Sequence, residues 1–135
     1  MGEITENEVF DRRPFDDFPY LVIQRKNYKI KLGNTLPTIR VFVYQRDNLF
    51  GDAMPYNLAG MDIKFRLYNN SRKLIASNMA IISDLTVSEL TFQLKKLDIM
   101  EEGKYYGEFV FTDLEGNSFS LPTPDERQRI CLIVS

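Results

Sequence analysis

Three carboxylate pairs, Asp16-Asp17, Glu101-Glu102 and Asp125-Glu126, come nearest in this sequence to acid–base machinery. Glycoside cleavage needs two carboxyls about 5–10 Å apart across a cleft, one to protonate and one to attack or to activate water. These pairs sit near prolines and turns, where charge ordinarily keeps a loop solvated. The chain contains no histidine, so neither a Ser-His-Asp nor a Cys-His arrangement can be assembled. Cys131 is the sole cysteine, which rules out an internal disulfide and a zinc site built on His and Cys. Its setting, Ile130-Cys131-Leu132-Ile133-Val134, predicts a buried thiol acting as a small hydrophobe. No Asp-rich loop has EF-hand spacing. The expectation is a non-enzymatic protein with no catalytic residue, no metal and no cofactor.

Side chains suited to contact are easier to find. Residues 1–19 form an acidic arm with six acids against two arginines, carrying Phe10, Phe15 and Phe18 with Pro14 and Pro19 interposed. Prolines at that spacing argue against a helix, and a solvated tail seldom carries three phenylalanines. Two readings stay open: the arm folds back over its own domain, or it docks into a neighbouring subunit and orders on contact. Tyr106, predicted to point outward beside Lys104 and Glu108, completes the candidate partner-binding set. Lys29, Lys31, Arg40, Lys64, Arg66, Lys95 and Lys96 are either scattered solvated charges or a basic patch for an acidic partner such as the arm. A carbohydrate site would want aromatic platforms; without tryptophan, Tyr44, Tyr56, Tyr68 and Tyr106 are the ones available.

The elements that must position these residues read as strands. Ile39, Val41 and Val43 share one parity, as do Ile63, Phe65 and Leu67, with Lys64 and Arg66 opposed. Such alternation marks strands with one dry and one wet face. Further strands are predicted over Tyr20–Gln24, Tyr28–Leu32, Thr38–Tyr44, Met61–Tyr68, Leu85–Leu94, Gly103–Asp113, Phe119–Leu121 and Gln128–Val134. Lys73–Ile82 alternates poorly and suggests an edge or a bulge. Gln45–Tyr56 reads as a loop, Lys96–Glu102 as one helical turn, and Leu114-Glu115-Gly116-Asn117 as a hairpin turn. A helical turn followed by Gly103 and then Tyr105 at a strand start matches the tyrosine corner of Greek-key sandwiches. The fold expected is all-β, an immunoglobulin-like Greek-key β-sandwich of 7–9 strands over residues 20–135, with residues 1–19 as an extended N-terminal arm.

Bulk properties narrow the partners. A chain of 135 residues with 44% hydrophobic and 27% charged residues is large enough for one domain with a real core. A net charge of −2 leaves no basic footprint for nucleic acid. No stretch approaches the roughly 18 apolar residues of a membrane helix, and the acidic start is no signal peptide. Glu6 stands where a myristoylated protein usually has a hydroxyl residue. Asn69-Asn70-Ser71 fits a glycosylation acceptor but has no secretory context. Synthesis in a reducing cytosol is expected.

The run GNTLPTIRVFVYQRD, a variable loop and then PYNLAGMDIKFRLYN resembles the immunoglobulin-like N-terminal domain of phage baseplate upper proteins. SELTFQL and EEGKYYGEFVFTDLEGNSFSLP resemble its later part, where a Gly-x-Tyr strand leads into a Gly-containing hairpin. The likeness spans Leu21 to Val134. Members of that family usually continue into a long receptor-binding or coiled-coil region, whereas this chain stops at Ser135, and they need not carry an arm. The resemblance implies a virion structural protein, made in the host cytoplasm and resident in baseplate, tail, neck or capsid. It would bind other virion proteins as a homo-oligomer or symmetric assembly. The alternative is a carbohydrate- or host-surface-binding module.

Overall fold

Alternating burial organises the chain into two antiparallel-rich sheets packed face to face. The computed structural model describes residues 19–23, 25, 27–46, 52–122 and 130–135. Among these are eleven strands: β1 Tyr20–Ile23, β2 Asn27–Ile30, β3 Thr38–Arg46, β4 Ala53–Pro55, β5 Asp62–Asn69, β6 Leu74–Met79, β7 Ile81–Asp84, β8 Glu89–Gln93, β9 Gly103–Thr112, β10 Ser118–Leu121 and β11 Ile130–Val134. One sheet runs β1-β3-β8-β7, with β4 also on β3. The other runs β2-β11-β9-β5-β6, with β10 also on β9. In immunoglobulin lettering these orders read A-B-E-D and G-F-C-C′, with β2 added beside G. The β2–β11 pairing is parallel, Tyr28 opposite Leu132. The expected all-β, immunoglobulin-like sandwich is therefore observed, with eleven strands among the described residues in place of seven to nine.

The additional strands come from positions without two-faced burial. Ala53, Met54 and Pro55 of β4 are all exposed and extend the sheet by pairing with Tyr44, Gln45 and Arg46 inside the expected loop. The poorly alternating stretch Lys73–Ile82 is two strands in different sheets: β6 pairs with β5 and β7 with β8. Ala80 is the buried residue between them, its N–H donating to the Ile63 carbonyl at 2.9 Å. β1 and β2 likewise lie in separate sheets, so the chain changes layer between Ile23 and Asn27.

The core is built by the strands with the clearest period. Ile39, Val41 and Val43 of β3 and Leu90 of β8 face Ile63, Phe65 and Leu67 of β5 and Phe109 and Phe111 of β9, all at most 2% exposed. The Phe65 ring spans the layers, stacking on Phe92 of the opposite sheet at 4.6 Å and meeting Phe109 edge-on at 5.0 Å. It also lies over Gly107, where an added Cβ would overlap the ring. Tyr105 Oη donates to the Glu101 carbonyl at 2.7 Å, so the tyrosine corner exists and ties the crossover to the start of β9. The expected helical turn precedes it as a short 3-10 segment, Lys96–Asp98.

These connections define two poles. The start of β3 meets the end of β8, Thr38 opposite Gln93, near the Lys96–Asp98 turn and the start of β9. At the other pole the end of β3 carries Tyr44 opposite Tyr20, so the chain ahead of Pro19 departs there.

Candidate interaction surfaces

The outward face of the larger sheet gathers four of the residues with recognition chemistry. Strand parity sends Arg66 and Tyr68 of β5 outward as Phe65 and Leu67 turn in, and does the same for Tyr106 and Glu108 of β9. Register places Arg66 opposite Glu108 and Tyr68 opposite Tyr106. Tyr68 Oη donates to Glu108 Oε1 at 2.8 Å. Burial pushes the Tyr68 hydroxyl above its ordinary pKa; the hydrogen bond to the Glu108 carboxylate adds to this, and the Arg66 guanidinium opposes it. Arg66 Nε is buried without a hydrogen-bond partner among the described residues. Tyr106 is half-buried, its hydroxyl 3.5 Å from Asn70 Oδ1. This arrangement offers two aromatic edges, a cation and an anion in one plane, suited to polar contact.

Cys131 joins this face from β11, opposite Tyr106. It is half-buried, and the inward positions of β11 are Ile130, Leu132 and Val134. The expectation of a buried core thiol is thus corrected: the parity of the run turns the sulfur to the outer side. Burial still raises the thiol pKa, partly offset by the nearby Lys104 ammonium.

The second surface is a groove of about 260 Å³ at the pole where β3 begins, lined by Ile30, Leu32, Leu36, Leu97, Ile99 and Met100 with Gly33, Asn34 and Lys96. Ile30, Leu36 and Ile99 form a buried floor, whereas Leu32, Leu97 and Met100 are 39%, 83% and 66% exposed. Backbone pairing fixes one wall: Leu32 N–H donates to the Ser135 carbonyl at 2.8 Å, and Ser135 N–H to the Ile30 carbonyl at 3.0 Å. Gly33, at φ +91°, turns the chain there as a residue with a Cβ rarely would. Gln93 holds the strand entrance, donating from Nε2 to the Leu36 carbonyl at 2.9 Å and accepting from Thr38 Oγ1 at 2.6 Å.

Of the predicted partner-binding residues, Tyr106 lies on the outer sheet face, and Phe10, Phe15 and Phe18 lie outside the described residues. So do Asp16-Asp17 and Asp125-Glu126, whereas Glu101 and Glu102 are exposed on the crossover. The basic residues divide. Arg40 pairs with Glu89 at 3.2 Å on the smaller sheet, Lys64 and Arg66 lie on β5, and Lys96 lines the groove, with Lys31 and Lys95 next to lining residues in sequence. The tyrosines divide as well: Tyr56 packs edge-on against Phe119 at 6.0 Å beside the core and is no surface platform. Among the described residues no group of three or more His, Cys, Asp or Glu gathers as metal ligands. Nor, among the described residues, is any helix long and apolar enough to cross a membrane.

Sequence reasoning missed the groove. Its available signal was Leu97 and Met100, two apolar residues three apart on a turn too short to bury both.

No family model matches the chain, and no curated protein matches it; the resemblance to phage baseplate upper proteins rests on the sequence motifs. Among solved structures, the chain is similar to CopC from Methylosinus trichosporium OB3b, with 12% identity and a TM-score of 0.47. The match covers 87% of this chain and 93% of that one. No residue role is carried over from it.

Proposed function

We propose that this chain is a non-enzymatic attachment domain and a structural subunit of a phage virion, joined to other virion proteins through its arm and its exposed surfaces. The observation that carries this reading is the groove with its exposed Leu32, Leu97 and Met100. Solvent-facing apolar residues around a concavity are features of a contact surface. The acidic-aromatic arm supplies a complementary element, since burying each phenylalanine contributes about 1.5–3 kcal/mol before ordering costs. The sequence resemblance adds the virion, without assigning baseplate, tail, neck or capsid. Removal of residues 1–19 is expected to leave the sandwich folded, because the described core runs from Leu21 to Val134, and to abolish incorporation into particles. Normal incorporation of the shortened chain would sink the proposal.

The Tyr68–Tyr106 face supports a second reading, a carbohydrate- or host-surface-binding module. It predicts glycan-array signals lost on Tyr106→Ala and Tyr68→Ala; an array at background would remove it.

A further inference from the structure

We infer that the groove at the β3-entrance pole is a socket for an aromatic side chain from residues 1–18 of a second copy of this chain. The inference rests on the attachment reading and names its partner and its site. Groove and arm base lie at opposite poles: Leu36 lies in the groove, whereas Tyr20 pairs with Tyr44 at the far end of β3. Eight residues of extended chain from Leu36 to Tyr44 span ~26 Å. Phe18 adjoins Pro19 and Phe15 stands four residues ahead of it, so at about 3.4 Å per residue they reach ~3 and ~14 Å from that point. Neither can enter the groove of its own domain. Phe10 spans the distance only with its linker stretched straight, ~31 Å for nine residues. A neighbour's groove carries no such restriction.

The chemistry of the two parts matches. The groove has room for one aromatic ring over the Ile30, Leu36 and Ile99 floor, with Leu97 and Met100 free to close on its faces. Lys96 is the charged residue in its lining, with Lys31 and Lys95 next to lining residues in sequence. Of the acids beyond it, Asp98 accepts from Asn78 Nδ2 at 3.2 Å, and Glu101 and Glu102 follow Met100. The arm sets Asp11 beside Phe10 and Asp16-Asp17 between Phe15 and Phe18, so a docked ring brings a carboxylate towards Lys96. Arm pole to groove pole is a heterologous contact, which propagates into a ring or a filament.

The test is complementation by sedimentation velocity on full-length chains. One variant, Leu97→Asp with Met100→Asp, keeps its arm and loses its socket; both residues are exposed, so the fold is retained. The other, Phe10→Ser with Phe15→Ser and Phe18→Ser, keeps its socket and loses its anchors. Each alone is expected to self-associate about 30-fold or more less tightly than the unaltered chain, and the mixture to form a one-to-one dimer. Ile81→Asp, at an exposed apolar position on the lateral edge, is the control and should associate normally. Unaltered self-association in the Leu97, Met100 variant would overturn the socket while leaving arm-mediated attachment standing. An unaltered chain that is monomeric yet enters particles would overturn the second copy as occupant, again without touching attachment. A monomer whose anchor and socket variants both expose the arm to proteolysis would assign the groove to the chain's own arm, and so overturn the inference too.

Discussion

Single residues carry more of this fold than their size suggests. Gly107 lies on an inward position of β9, where the Phe65 ring occupies the space of a side chain. Gly107→Ala must push that ring against Phe92 and Phe109, and overpacking of this kind costs about 1–3 kcal/mol. Urea unfolding should show the midpoint falling with an unchanged slope, and Phe65→Leu in the same chain should recover part of the loss. A Gly107→Ala protein as stable as the parent would mean that the ring moves aside freely. The inward parity of Gly107 was readable from the sequence. The reason for a glycine was not, because Phe65 lies 42 positions earlier and only the β5–β9 register brings them together. Cys131 shows the converse: an unbroken apolar run hides which residues turn inward, and the alternate ones proved to be the core.

At the scale of elements, legibility followed burial. β3, β5 and β9 have one wet and one dry face, and their alternation declared them. β4, β6 and β7 have mostly exposed residues, so no hydrophobic period marks them, and their place is set by neighbours they pair with. The groove was illegible for a related reason, being assembled from two segments distant in sequence, Ile30–Leu36 and Lys96–Met100. The tyrosine corner was legible because its parts are local. Its contribution is directly measurable: Tyr105→Phe keeps the ring in the core and removes the bond to the Glu101 carbonyl. A loss of about 1 kcal/mol is expected, together with faster amide exchange over the Lys96–Glu102 crossover. An unchanged exchange pattern there would show that the crossover is held by other contacts.

Across the whole molecule, one buried and two half-buried tyrosines give stability a dependence on pH. Burial raises the pKa of Tyr28, Tyr56 and Tyr68 above the ordinary 10.0. Because the folded state holds these protons more tightly than the unfolded chain, their stabilisation is fully present below pH ~10. It is lost as the pH rises through the folded-state values. Unfolding midpoints should therefore be level around neutrality and fall in alkali, with tyrosinate absorbance lagging behind that of the denatured chain; coincident titrations would contradict this. The arm carries no tyrosine, and its work on this account is between molecules. The most direct measurement is light scattering after size-exclusion chromatography of the full chain beside residues 20–135. An oligomeric full chain and a monomeric, equally folded truncation are predicted. The same oligomeric state for the two, whether both monomers or both the same oligomer, would contradict arm-mediated self-association.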